Sequence, residues 1–494
     1  MAASANTSNT YFANYDRRTL VLYIALVLVG WLMIYTVNYD PKDPFNFLLL
    51  KNESGKQLIF IIVNFVLLFV IMLTDWSLWR TFSFPIYIFS ILILPGTLIF
   101  GREINGAYAW YQLGGFSLQP AELTKFGTCL AMAGYLSSTN SNLRDLRTRA
   151  IAIGIFMLPV LMVLLQNDTG SALVFFSLML VLFREGLSPN WYILSFSTAG
   201  LVILGLIYPP PYVVAYLMLL FSGVLINRFK EKKNLWWGAF ALCAVLVVSW
   251  EKLIQLLREE VKIQFGPLEG FTDQLVLIPS VALLLSTFIP SYRRKNSLIQ
   301  GRLQIWALLL AAGCTLVYLS NFAVYNVLAP HQQKRITIWL KPEVAAAEMR
   351  GAAYNGEHAK MAIGSGGFSG KGWLEGNMTK LRYVPKQSTD FIFCTIGEEQ
   401  GFIGTAGLIS IFLLLLYRIT VLAERQRSNF SRIYAYGVAG VIFVHFIINT
   451  GMTMGLFPII GIPLPFISYG GSSLLGFTLM IGVLLKLDSN RNLA

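Results

Sequence analysis

Charge is scarce in this sequence. Asp, Glu, Lys and Arg together make up 13% of its 494 residues, against about 25% in an ordinary soluble protein. A soluble chain of this length could not cover its surface with so little charge. Intrinsic disorder is excluded as well, because it needs few apolar residues and many charges, and 55% of this chain is hydrophobic. Cysteine is nearly absent. Cys129, Cys243, Cys314 and Cys394 stand far apart, in or beside apolar runs, which argues against a disulfide framework or a cysteine-rich metal site. Histidine is rarer still, and His331, His358 and His445 are too widely spaced to suggest a multi-histidine centre. What remains is an all-α polytopic membrane protein.

A span needs about 20 mostly apolar residues. Windows of that kind occur fourteen times: 20–37, 58–74, 83–100, 121–137, 150–165, 171–183, 191–208, 211–226, 235–250, 274–289, 303–328, 401–417, 434–452 and 466–487. The stretch 121–137 holds two charges, and 171–183 is short. No small-residue cleavage site follows the first span, so it reads as a retained anchor. With the N-terminus in the cytoplasm, 21 of the 38 Lys and Arg fall on the cytoplasmic side and 7 in short outer loops. The positive-inside rule therefore puts both termini in the cytoplasm. The net charge of +13 becomes a topology signal, and a nucleic-acid partner is not expected. One long hydrophilic stretch, 329–398, lies outside and is rich enough in aliphatic and aromatic residues to be ordered. The segment 250–273 has charges and aliphatics at helical spacing. It reads either as an amphipathic helix on the outer membrane surface or as a plain connector.

Ionisable residues at membrane depth are functional hypotheses by default. Glu122 and Lys125 are three apart behind Pro120, so they share a helix face and can pair. They form either a neutralised structural pair or a polar wall for a charged headgroup. Asp168, in Gln166-Asn167-Asp168-Thr169-Gly170-Ser171, either lines a cavity or caps a helix after a tight turn. The run from Ala362 to Trp373 invites a phosphate-loop reading. Counting back from Gly370-Lys371, that motif needs Gly at 365 and Ser or Thr at 372. The chain has Ser365 and Gly372, so the motif fails, although the backbone and Lys371 could still meet a diphosphate. Asp390 stands where a hydrophilic stretch turns into Phe391-Ile392-Phe393. A partly desolvated carboxylate there suits a general base; the alternative is a helix N-cap. From Gly461 to Ser473, two prolines and a Gly-Gly pair break the helix at the outer membrane level, as either a ligand-lining break or a packing kink.

Six of these fragments, in this order, carry a resemblance to a known family: 119–125 (QPAELTK), 168–173 (DTGSAL), 362–373, 389–393 (TDFIF), 397–400 and 463–472 (PLPFISYGGS). The chain resembles the SEDS family (shape, elongation, division, sporulation) of bacterial cell-wall polymerases. The run from Tyr354 through Lys360-Met361-Ala362-Ile363-Gly364-Ser365 to Gly372 is more similar to the elongation branch than to the division branch. The family usually has ten spans. About four more fall in 209–302, which has no evident counterpart. The expected organisation is a tail at 1–19, core at 20–208, inserted helices at 209–302, a core helix at 303–328, the outer loop at 329–398, core again at 399–487 and a tail at 488–494. Two positions depart from the family's habit: Ala109 stands where an arginine is common, and Lys386 where a Glu is common.

The resemblance implies a peptidoglycan glycosyltransferase of the inner membrane, acting on lipid II, a disaccharide-peptide on a polyprenyl diphosphate. It implies Asp390 as the base that activates the acceptor sugar 4-hydroxyl in an inverting transfer. Lys371, Arg335 and Lys125 are implied as diphosphate contacts, and Glu122, Gln119, Gln387, Asp168, Ser468 and Tyr469 as further substrate-binding residues. A divalent cation (Mg or Mn) could share the diphosphate, and no organic cofactor is expected. The implied partners are the nascent glycan strand, membrane lipids and a class B penicillin-binding protein, a transpeptidase. Two other classes stay open. A flippase for the same lipid would share the broken helices and intramembrane charges, but has no need for an acidic residue outside the bilayer. A non-catalytic scaffold would only position a partner.

Overall fold

A computed structural model of the chain describes residues 15–40, 52–104, 106–114, 116–138, 142–228, 237, 297–328, 330–340 and 352–492. The chain divides into two compact units, Met1–Ser188 with Pro342–Ala494, and Pro189–Lys341.

The first unit opens with α1 (Arg17–Val37), whose start is fixed by Asp16: the carboxylate accepts from Thr19 N at 2.9 Å. Helices α2 (Glu53–Leu73), α3 (Trp76–Thr81) and α4 (Ser83–Phe100) follow. Three short strands, β1 (Arg102–Ile104), β2 (Ala107–Leu113) and β3 (Phe116–Leu118), then form an antiparallel sheet in the order β1-β2-β3. An all-α expectation overlooked this sheet. Its local cause is β-prone Tyr108, Trp110 and Tyr111 between glycines at 106 and 114 that take positive φ and make the turns.

Helix α5 (Pro120–Leu136) comes next, then α6 (Leu146–Leu165), α7 (Thr169–Phe175) and α8 (Leu178–Arg184). In the second unit, α9 (Pro189–Ile207), α10 (Pro210–Arg228), α11 (Ser297–Asn326) and α12 (Pro330–Leu340) are described, and both α9 and α10 pack on α11. The unit boundary at 188 falls before α9, because α9 packs with the helices that follow it. The first unit resumes with α13 (Ala352–Ser365), α14 (Asn377–Lys380), α15 (Ile392–Glu424), α16 (Asn429–Thr453) and α17 (Gly471–Ser489).

Among the described residues, nine helices are long and apolar enough to cross a membrane: α1, α2, α4, α6, α9, α15, α16, α17 and the 308–326 part of α11. The protein is a multi-pass membrane protein. Of the other five expected spans, 121–137 is α5, too short and polar to qualify, 171–183 is the pair α7 and α8, and 211–226 lies in α10. The stretches 235–250 and 274–289 lie outside the described residues, as does the amphipathic 250–273.

Helix α5 explains its own composition. It packs on α4, α6, α16 and α17, and nearly all of its residues are buried. A helix walled in by protein meets little lipid, so it can carry Glu122, Thr124, Lys125 and Thr128 where a lipid-facing helix could not. At one end of the unit, charges tie the helices together. Arg418 donates to Asp16 at 2.6 Å, and Arg425 pairs with Asp16 at 3.6 Å and with Asp488. Asp16, just before α1, and Asp488, near the end of α17, thus meet the same arginine.

Candidate active site

The opposite end of the first unit is built from broken backbone. Residues 384–391 turn tightly, with N–H groups of Thr389, Asp390 and Phe391 all directed at Lys386 O at 3.1–3.3 Å. Phe391, the N-cap of α15, is buried with Ile392 and Phe393. Phe391 and Cys394 pack with Ala359, Ala362 and Val384 in a small core. The anchoring fits the sequence: three consecutive apolar residues after a polar turn are driven out of water, and here the protein interior receives them. Asp390 is left at the edge, half-buried. It precedes the N-cap, so helix capping does not occupy that position.

Facing it is the 454–470 segment between α16 and α17. Gly461 has φ 79°, and a Cβ there would stand 3.3 Å from Asp390 Oδ2. Glycine is required twice over, by the backbone conformation and by the carboxylate beside it. The segment is fastened to the turn that carries Asp390. Tyr469 N–H donates to Ser388 O at 2.9 Å, the Ser468 hydroxyl donates to Thr389 O, and Asn449 Nδ2 donates to Asp390 O at 2.9 Å. Three successive carbonyls are thus satisfied from outside their own turn, which holds the Asp390 main chain in one place.

Behind this wall lies the buried Glu122–Lys125 pair. Lys125 Nζ stands 2.7 Å from Glu122 Oε1 and 2.7 Å from His445 Nε2, and all three residues are about 1% exposed. The pairing expected from the i, i+3 spacing is present. The ammonium of Lys125, expected to meet a diphosphate, is enclosed and hydrogen-bonded by protein groups. Glu122 is enclosed with it. His445 and Asn449 escaped sequence reasoning, although polar side chains one turn apart in an apolar helix were a signal.

Lys371 comes closer to expectation. It is 26% exposed and paired at 2.7 Å with Glu398, which is fully buried. Glu398 also accepts from Met378 N at 2.9 Å, Thr379 N at 3.0 Å and Thr379 Oγ1 at 2.8 Å, so a carboxylate closes the N-terminus of α14. The glycine-rich run does not form an open anion cradle. Lys371 N–H and Gly372 N–H donate to Glu398 O and Glu399 O at 3.1 and 3.0 Å. A Cβ on Gly370 would stand 2.0 Å from Glu399 O. Here α15 is broken at Gly401, with φ 63° and ψ −155°, and Phe402 N–H and Ile403 N–H donate to Gly367 O and Phe368 O. The glycines let two backbones touch, so the run is a splint for a broken helix.

The remaining expected residues are placed as follows. Gln119 donates to Asp168 Oδ2 at 2.7 Å and to Ser171 Oγ at 3.1 Å. Asp168 caps α7 through Ser171 N at 3.0 Å, the capping alternative. Gln387 is buried and donates to Thr379 Oγ1 and Thr395 Oγ1. Ser468 and Tyr469 join the fastening described above, Ser468 buried and Tyr469 half-buried. Arg335 lies on α12 in the second unit. Ala109 is fully buried in β2, so no headgroup contact comes from that position. Among the described residues, no group of three or more His, Cys, Asp or Glu stands together to hold a metal. Cys129, Cys314 and Cys394 carry free thiols.

A family model described as cell cycle protein, of the FtsW, RodA and SpoVE proteins, matches residues 17–248 and 298–493. The chain belongs to this family. The unmatched interval, 249–297, is narrower than the insertion expected at 209–302. The chain is 29% identical to the peptidoglycan glycosyltransferase RodA of Treponema pallidum (strain Nichols), over 97% of this chain and 98% of that one. It is 28% identical to a probable peptidoglycan glycosyltransferase FtsW of Trichlorobacter lovleyi, over 98% and 95%. Among solved structures, a chain from a peptidoglycan synthase complex that coordinates polymerization and crosslinking superposes with a TM-score of 0.60 at 22% identity, covering 97% of this chain and 99% of that one. That likeness establishes the fold.

Proposed function

We propose that this chain is a peptidoglycan glycosyltransferase that polymerises lipid II during cell elongation, with Asp390 as its general base. The observation that carries the reading is the placement of Asp390: half-buried at the edge of a fixed turn, its carboxylate beside Gly461, its main chain held from outside. A base whose backbone cannot drift can be aimed.

The step is a displacement at the anomeric carbon of the donor sugar. Asp390 takes the proton of the acceptor 4-hydroxyl. The freed oxygen electrons form the new C–O bond as the bond to the polyprenyl diphosphate breaks, and the diphosphate leaves with that electron pair. One attack on the opposite face inverts the centre. Lys371, partly exposed and held by Glu398, is the described cation best placed in sequence and exposure to meet the departing diphosphate. A divalent cation is proposed only as one carried by that diphosphate, and no step above depends on it. The site is proposed to face outward from the bacterial inner membrane, with both termini in the cytoplasm, the lipid tail remaining among membrane lipids and a class B penicillin-binding protein cross-linking the strands produced.

The test is product analysis. Full-length protein in vesicles, with and without the transpeptidase partner, is given labelled lipid II. Glycan strands longer than the disaccharide support the reading. Lipid II carried across the vesicle wall without strand formation would establish a flippase instead.

A further inference from the structure

Two side chains of α16 touch no substrate in the chemistry above, yet they hold its frame. His445 and Asn449 are one helical turn apart and share a face. Asn449 is fully buried. It gives both amide hydrogens to main-chain oxygens, Asp390 O at 2.9 Å and Ile462 O at 2.7 Å. Both partners are carbonyls, so only one orientation of the amide satisfies them. One turn away, His445 stands between Lys125 Nζ at 2.7 Å and Pro463 O at 3.1 Å. A carbonyl can only accept and an ammonium can only donate. A single imidazole form meets both: Nδ1 carries the proton and Nε2 accepts from Lys125. Three carbonyls outside regular helix, those of Asp390, Ile462 and Pro463, therefore hang from one face of one straight helix.

This arrangement spans sequence separations of 59 residues for Asn449 with Asp390 and 320 for His445 with Lys125. It joins the buried Glu122–Lys125 pair, the broken 461–465 segment and the turn bearing Asp390. The space left by Gly461 matters only if that segment stays where it is, since its Cα faces Asp390 Oδ2. A shift of the segment would either crowd the carboxylate or release it.

We propose that Asn449 and His445 are positioning residues: hydrogen bonds from one face of α16 fix the Asp390 turn against the 461–465 segment and so set the direction of the carboxylate. The proposal rests on Asp390 being the general base. A misplacement of about 1 Å at a reacting group costs on the order of 100-fold in rate, so the loss belongs in kcat. Substrate binding, made elsewhere, is little changed.

The experiment measures kcat and KM for lipid II polymerisation by the full-length chain in vesicles, alongside the apparent melting temperature of each variant. Asn449→Ala and His445→Leu lower kcat by about 10- to 100-fold with KM within about twofold. His445→Gln keeps one donor and one acceptor and recovers most of the rate. In the residual activity of Asp390→Asn, adding Asn449→Ala costs nothing more, because both act through one group. Should Asn449→Ala fail to fold, the comparison of His445→Leu with His445→Gln carries the same test. Folded variants with wild-type kcat overturn the proposal, as does a loss confined to KM or an equal loss in the Asp390→Asn background. Asp390→Asn at the wild-type rate overturns the general-base reading and this proposal with it. An inactive Asp390→Asn beside a fully active Asn449→Ala overturns the positioning role alone.

Discussion

Lys125→Met isolates the energetic consequence of the buried pair. Methionine keeps the length of the lysine stem and removes the charge. It leaves Glu122, about 1% exposed, without its 2.7 Å partner. One Glu122 oxygen, Oε2, already has no hydrogen-bond partner, so little remains to solvate the carboxylate. Breaking a buried ion pair from one side typically costs about 3–5 kcal/mol, because the surviving charge stays buried. The companion change Glu122→Gln keeps an oxygen that can accept from Lys125 but removes the compensating charge from the buried ammonium, and falls toward the lower end of that range. Replacing both removes both charges and costs much less than the sum. The coupling in a double-mutant cycle is therefore about 2 kcal/mol or more. The assay is the unfolding of detergent-solubilised protein, followed by the fraction that remains monodisperse after heating. Activity supplies a second reading. If the pair is structural, the double variant regains much of the activity lost by Lys125→Met. Strictly additive losses, or a stable Lys125→Met protein, would refute the account of α5. A stable, inactive double variant would give Lys125 a role in activity beyond neutralising Glu122, with its hydrogen bond to His445 as the first candidate.

Further expectations concern other parts of the first unit. Gly370→Ala places a Cβ 2.0 Å from Glu399 O, at a positive φ of 81°; no side chain is there to move, and the variant should be absent from the membrane fraction or misfolded. Gly461→Ala is milder, with the new Cβ 3.3 Å from Asp390 Oδ2, and should yield folded protein with kcat reduced about 10-fold or more, measured on lipid II. Glu398→Gln keeps acceptor capacity for Thr379 but loses the charge pairing with Lys371, and should lower the melting temperature less than Glu398→Ala, which leaves the start of α14 unsatisfied. At the charged end of the unit, burial works to raise the Asp16 pKa, but hydrogen bonds from Thr19 and the Arg418 guanidinium outweigh it and hold the carboxyl below its ordinary range. A lowered folded-state pKa means that this stabilisation is complete above the unfolded value of about 3.9. It is lost as pH falls through the lower folded value. Asp16→Asn should therefore narrow its stability difference from wild type only below about pH 4, in melting curves recorded across pH.

The parts legible in the sequence were those governed by local pattern. Apolar runs marked the nine long apolar helices among the described residues, because each helix must hide its backbone within its own length. Spacing gave the Glu122–Lys125 pair, because three residues make most of a helical turn. The polar-to-apolar boundary marked the turn at Asp390, because the run Phe391-Ile392-Phe393 leaves water there. The hairpin of β1 to β3 was passed over because a search for long apolar windows ignores seven-residue strands. What could not be read was the set of contacts between distant segments. Nothing near Lys371 announces Glu398, and nothing near Lys125 announces His445. The glycine-rich run misled in an instructive way. Glycines that admit a phosphate and glycines that admit a neighbouring backbone look alike in sequence. Only the approach of Gly370 to Glu399 O distinguishes them.

The measurement that bears most directly on the central claim is the polymerisation of lipid II by purified, folded Asp390→Asn protein. Asparagine preserves the shape of the side chain and the hydrogen bond from Asn449 to the main-chain carbonyl, and removes only the basic oxygen. Loss of the general base should lower kcat by about 100- to 10,000-fold while the protein keeps its melting temperature and its binding of lipid II. Glycan strands formed at the wild-type rate by this variant would contradict that claim.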